Sequence, residues 1–209
     1  MIKDALDAVV KVLTAEKDYL SDLDAKVGDG DHGINMARGA DAAIEAFEDL
    51  DDTEDLKKVL TAIGEAVVMN VGGTAGPLYG TAILEAAKVI DENSSPDILT
   101  LEKVFGAAVA GVQKRGHAQK GDKTMLDVLI PIHECFKPEN TIGKSVEEVM
   151  IEARDAGRDG VEYTKTIPAR RGRASYLGER SIGFEDPGAV SSLMICRTLF
   201  GYWKEILNK

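Results

Sequence analysis

Apolar positions recur every three or four residues along almost the whole chain. Ile2, Leu6, Val9, Val10 and Leu13 share one side of a first helix. A second helix is expected from near Gly33 to about Phe47. Leu56, Val59, Leu60, Ile63, Val67 and Val68 mark a third. Pro77 opens a fourth, which passes Ile83, Leu84 and Ala87 towards Ile90. Thr100 reads as the N-cap of a fifth, with Leu101, Val104, Phe105, Ala108 and Val112 on one side. Met125, Leu129, Ile132 and Phe136 define a sixth, in which Pro131 predicts a kink. The stretch SVEE, 145 to 148, has the form of a capping box and opens a seventh through Val149, Met150 and Ala153. An eighth begins at DPG, with Asp186 as N-cap and Pro187 in the first turn. It runs through Val190, Leu193, Met194, Arg197, Phe200, Ile206 and Leu207.

Strict apolar and polar alternation is nowhere sustained with β-branched residues, so no sheet is expected. The pattern predicts an all-α chain of about eight helices, joined by short connections and therefore antiparallel to their neighbours. Residues 166 to 187, TIPARRGRASYLGERSIGFEDP, break the rule. They are too long and too rich in Gly and Arg for a turn, and they read as a lid before the last helix.

Composition narrows the picture. The chain has 209 residues, of which 44% are apolar and only 5% aromatic. One sizeable helical domain, 1–209, is expected. A net charge of −11 leaves no footprint for nucleic acid or anionic lipid. Cys135 and Cys196 sit in apolar runs without a CxxC spacing and read as reduced core thiols. The start, MIKDALDAVV, lacks a basic segment, and no apolar run approaches the ~18 residues of a membrane span. A cytoplasmic protein is expected.

Candidate chemistry begins at DLDAKVGDGDHGINMARG, residues 22 to 39. Asp24, Asp29 and Asp31 fall between two helices, among Gly28, Gly30 and Gly33. Crowded carboxylates repel one another, and a hard divalent cation removes that repulsion. An EF-hand does not fit. Counted from Asp22 the fifth position is Lys26, and counted from Asp29 the twelfth is Ala40. An incomplete acidic set with places left for phosphate and water suits Mg²⁺. The residues alone also leave open a solvated turn that caps helices. His32 and Asn35 follow directly, at a helix start where ring or backbone N–H could meet phosphate.

Two further stretches suit an anion. NVGGTAGPLYG, 70 to 80, places small residues before Pro77, either as a phosphate seat or as a tight helix–helix turn. The lid carries Arg170, Arg171, Arg173 and Arg180, whose guanidinium forks match phosphate oxygens. RGHAQKGDKTM, 115 to 125, is not a Walker loop, because Asp122 precedes Lys123 and Thr124 and a helix stands in place of the strand. Together an acidic loop, helix starts and an Arg lid point to a nucleoside di- or triphosphate with Mg²⁺, and to phosphoryl transfer.

GDGDHGINMARG, VGGTAGPLYGT, GDKTMLDVL and RGRASYLGERSIGFEDPGA together closely resemble the nucleotide-binding L subunits of dihydroxyacetone kinases, the DhaL family, over essentially the whole chain. The resemblance implies an antiparallel eight-helix barrel. It implies two Mg²⁺ ions on Asp24, Asp29 and Asp31. It implies contacts to ADP or ATP from His32, Gly33, Ile34, Asn35, Thr74, Ala75, Gly116, Met125, Arg173, Asp186, Pro187 and Gly188. Arg173, with the three aspartates, is implied in transfer.

The resemblance further implies a chain that works with a separate dihydroxyacetone-binding K subunit and a phosphohistidine carrier of the phosphoenolpyruvate-dependent phosphotransferase system. The carrier recharges bound ADP. Other readings are an ATP-consuming kinase subunit for another small ketose, or a nucleotide-sensing module that binds a transcription regulator. Self-association as a homodimer is left open.

Overall fold

The last helix packs against the first, which closes the fold into a ring. This computed structural model describes residues 2–51, 55–91, 94 and 97–207. Its helices, in order, are α1 (Ile2–Ala15), α2 (Lys17–Ala25), α3 (His32–Glu48), α4 (Leu56–Asn70) and α5 (Ala75–Lys88). There follow α6 (Ile98–Gly116), α7 (Leu126–Phe136), α8 (Pro138–Thr141), α9 (Val146–Thr164) and α10 (Pro187–Leu207). A 3₁₀ helix, Arg173–Ser181, lies in the segment before α10, and no strand occurs among the described residues. Around the ring the packed neighbours run α1, α3, α4, α5, α6, α7, α9, α10 and back to α1.

Those eight are the helices expected from the apolar spacing. The additions are α2, α8 and the 3₁₀ turn. In α2, KDYLSDLDA, only Leu20 and Leu23 are buried, too few to make a stripe. Among the cap expectations, Ser145 accepts from Glu148 N–H while the Glu148 carboxylate accepts from Ser145 N–H, completing the capping box. Asp186 caps α10 by accepting from Ala189 N–H at 2.7 Å.

Thr100 is not a cap. Asp97 takes that role, accepting from Thr100 N–H at 2.7 Å, so α6 starts at Ile98. Both residue types cap well, and the choice falls to the acid that lies where the chain first turns. Likewise α5 begins at Ala75, two residues ahead of Pro77. Pro131 lies inside α7, whose assigned span is unbroken.

The α1 stripe serves two clusters. Ile2 and Leu6 pack with Phe47, Val59 and Ile63, while Val9, Val10 and Leu13 join the main core. That core runs through Leu101, Leu126, Ile132, Val149 and Phe200. At its base Phe105, Phe136 and Phe200 meet edge-on or tilted, with centroids 5.1–6.2 Å apart. Each such pair adds about 0.5–1.5 kcal/mol beyond its buried area. The side chains of Ile206 and Leu207 lie outside the described residues. Among the described residues, no helix is long and apolar enough to cross a membrane.

Candidate functional site

Alternating helix direction brings the starts of α3, α5, α7 and α10 to one end of the ring, beside the ends of α4, α6 and α9. There the four helix starts, the end of α6 and residues 171–174 line a cavity of about 520 Å³, within the usual range for small-molecule sites. Asp24, Asp29, Asp31, His32, Asn35, Thr74, Ala75, Gly116, Met125, Arg173, Asp186, Pro187 and Gly188 all line it. Of the expected contact residues, Gly33 and Ile34 do not. Gly33 is where α3 crosses α2. A Cβ there would lie 1.8 Å from the Lys17 carbonyl oxygen, so only glycine fits. Ile34 turns outward and is half exposed.

Asp24 ends α2 and braces the next helix. Its Oδ2 accepts from Asp31 N–H at 3.0 Å and from His32 N–H at 3.2 Å. Asp31 holds the N-cap position of α3 but makes no side-chain cap bond. The Asp24 carboxylate therefore does the capping, and the Asp31 carboxylate is left for the cavity. One oxygen from each of Asp24, Asp29 and Asp31 lies within 4.8 Å of the other two.

Such a pair costs roughly 3 kcal/mol near a protein surface, at an effective dielectric of about 20. Arg173 offsets part of this, with Nη2 2.9 Å from Asp29 Oδ2, but its side chain is 65% exposed. An exposed ion pair contributes only about 0–1 kcal/mol. A divalent cation there would supply the missing charge, and an all-oxygen set fits Mg²⁺.

Behind the acidic loop lies a polar cluster. His32 Nε2 shares a 2.8 Å hydrogen bond with Ser191 Oγ. The Tyr79 hydroxyl lies 2.8 Å from both Ser191 Oγ and Ser192 Oγ and 3.1 Å from the Gly188 carbonyl. Burial lowers the His32 pKa more than Asp24, Asp31 and the Pro187 backbone raise it. Tyr79 lay inside a quoted glycine-rich segment, but nothing in the spacing marked it as a cavity residue. His133 lies 3.1 Å from Glu102 and ties α7 to α6.

The lid folds down over the acidic loop. Ala169 and Ala174 are buried with Val27, and Leu177 packs on them. Arg171 Nε reaches to 3.6 Å from Asp122 Oδ2.

Burial pushes the Asp186 carboxyl up to about 7, and Asp127 and Asp24 add to the shift, against the Ala189 N–H and Lys123. The carboxyl is enclosed, yet the residue as a whole is only half-buried, which tempers the effect. A raised folded-state pKa favours folding below the unfolded value near 4, and that gain is lost as pH rises to about 7. In ligand-free protein, wild type is therefore expected to lose stability relative to Asp186→Asn between pH 5 and 8. The loss should be about 1–2 kcal/mol, or roughly 3–6 °C in Tm. Parallel melting curves for the two proteins across that range would remove this assignment.

A family model described as the DAK2 domain matches residues 26–201. The chain is 44% identical over 179 residues to the ADP-binding subunit DhaL of PEP-dependent dihydroxyacetone kinase 1 of Listeria innocua, covering 86% of this chain and 84% of that protein. It is 38% identical over 188 residues to the corresponding Escherichia coli subunit, covering 90% and 89%. The dihydroxyacetone kinase of C. freundii, solved with AMP-PNP and Mg²⁺, shares the fold with a TM-score of 0.73 at 24% identity. That likeness covers 95% of this chain and 33% of the C. freundii chain.

Proposed function

We propose, from the premise that this chain belongs to the DAK2 domain family, that it is the ADP-binding subunit of a phosphotransferase-system-dependent dihydroxyacetone kinase. It passes a phosphoryl group from a phosphohistidine carrier, by way of Mg²⁺-bound ADP and ATP, to dihydroxyacetone held on a separate K subunit. The observation that carries this reading is the facing of three converged carboxylates by a lid arginine across one cavity.

Asp24, Asp29 and Asp31 would hold two Mg²⁺ ions. When bound, the metal neutralises phosphate charge and aligns the reacting oxygens. Thr74 and Ala75 at the start of α5, and Pro187 and Gly188 at the start of α10, place helix N-termini beside the phosphates. Leu78, Val112, Met125 and Leu126 give the cavity an apolar side suited to the base. Arg173 brings positive charge to the transferring group. None of these side chains needs to act as a nucleophile. The closed ring argues for one nucleotide-binding domain, with residues 166–187 as its lid. Two free cysteines accord with a place in the cytoplasm.

The test is to purify the chain, denature it and identify what is released. ADP that survives dialysis, and is recharged by the phosphohistidine carrier, is the expected result. An empty site with fast ATP exchange would instead make it an ATP-consuming subunit. No nucleotide binding in the presence of Mg²⁺ would end the kinase reading.

A further inference from the structure

The GDKTM segment fails as a phosphate loop, yet its lysine has an unusual setting. Lys123 is 1% exposed, with a left-handed φ of 59°. A buried ammonium must be fully hydrogen-bonded. Lys123 Nζ donates to the carbonyl oxygens of Thr164 at 2.6 Å, Ser181 at 2.7 Å and Phe184 at 2.7 Å. Its bond to the Ile167 carbonyl is longer, at 3.4 Å. Thr164 and Ile167 lie where the chain enters the lid. Ser181 and Phe184 lie where it leaves.

The loop that carries Lys123 is itself fixed. Buried Asp127 accepts from Gly121 N–H at 2.6 Å and from Thr124 N–H at 2.8 Å. Asp127 and Asp186 also sustain the lysine's charge, while burial lowers its pKa. Further bonds tie the same roots together. Arg170 N–H donates to the Asp122 carbonyl at 3.0 Å, and Gly183 N–H to the Lys165 carbonyl at 2.8 Å. Ser181 Oγ accepts from Ala169 N–H at 2.8 Å. Beyond these ties the outer segment rests only on a small apolar contact, Ala174 and Leu177 against Val27, and its tip is open to solvent, with Tyr176 87% exposed.

We propose that Lys123 is a positioning residue for phosphoryl transfer, clamping both roots of the lid to the loop beside the nucleotide cavity so that only the outer segment, 171–180, swings. Arg173 then moves on and off Asp29 along one arc. A lysine suits this place because three N–H groups fan out in different directions to carbonyls on both roots, which a planar guanidinium cannot do. The importance of the swing for transfer rests on the kinase reading above. The clamp does not.

Amide hydrogen exchange on the whole chain tests the clamp alone. The amides of Ala169, Arg170, Gly183 and Asp186 are expected to exchange about 10²-fold slower than those of residues 172–179. Roots that exchange as fast as the tip would overturn the proposal, whether or not the chain transfers phosphate. Lys123→Met adds the catalytic arm. Trypsin should cut at Arg170, Arg171, Arg173 and Arg180 about tenfold faster, with the ring helices still resistant. The kcat of transfer should fall about 10²-fold while ADP affinity stays within about threefold.

Ser181→Ala, which breaks a root tie without stranding a charge, should shift the same readouts less. It stands in for Lys123→Met if that variant does not fold. Unchanged lid cleavage, or kcat and ADP affinity lost in equal measure, would sink the positioning role. Wild-type protein that neither binds ADP nor transfers would count against the kinase reading and leave the exchange result to decide the clamp.

Discussion

Asp29→Ala is expected to leave the helices intact and to empty the site of nucleotide. Asp29 is one of three carboxylates whose oxygens lie within 4.8 Å of one another, and it is the one that faces the lid. Asp24 also braces the start of α3 through two backbone N–H groups, so its removal would mix structure with chemistry. Asp29 has no such second task among the described residues, which makes it the cleaner probe. Metal-borne charge stabilisation amounts to several kcal/mol, so transfer should fall by roughly 10³-fold or more. Retained ADP should drop below detection after gel filtration. Thermal stability of the ligand-free chain should hold or rise slightly, because one like-charge neighbour is gone. Far-ultraviolet circular dichroism, nucleotide analysis and a transfer assay cover the three claims. Full activity would refute the metal assignment.

Arg173→Ala should separate holding the nucleotide from transferring its phosphate. The side chain is mostly exposed, and among the described residues Asp29 is its one ion-pair partner, so little stability is at stake. ADP and Mg²⁺ should still bind. Mg²⁺ affinity should match or slightly exceed wild type, because the pair to Asp29 no longer competes for that carboxylate. Transfer, by contrast, should slow by about 10³-fold, the lower range for an arginine that stabilises a transferring phosphoryl group. Arg173→Lys should recover only part of this, since an ammonium lacks the two-pronged fork. An Arg173→Ala protein with wild-type kcat would leave the lid without a chemical task. One that lost ADP as completely as Asp29→Ala would make the arginine a binding group.

Local signals are legible in the sequence. The Ser145 and Glu148 pair and the Asp186–Pro187 start depend on contacts three residues apart, and both form as expected. The eight ring helices each carry an apolar stripe long enough to stand out from chance. The aspartate trio was visible because its members sit eight positions apart or less in the chain. What stayed hidden depends on distant partners. In α2 two leucines are buried by neighbours the sequence does not name, and α8 is only four residues long. The choice of Asp97 over Thr100 is geometric. Lys123 is the sharpest case. Lysine is ordinarily a surface residue, and its burial here is set by carbonyls forty-one to sixty-one positions away. Asp24 as the cap of α3, a role separate from holding metal, is likewise invisible without the fold.

The closure of α10 onto α1 has a consequence for how the fold can be rewired. Ile2 and Leu6, at the start of α1, pack with Phe47, Val59 and Ile63, and Phe200, towards the end of α10, meets Phe105 and Phe136. Among the described residues, none of α1 lines the cavity, and of α10 only Pro187 and Gly188 do. A tether between α1 and α10, which pack together, would leave that lining untouched, and the chain could be reopened at the exposed turn around Gly143. In that circular permutant the order of segments changes while every wall of the cavity keeps its neighbours.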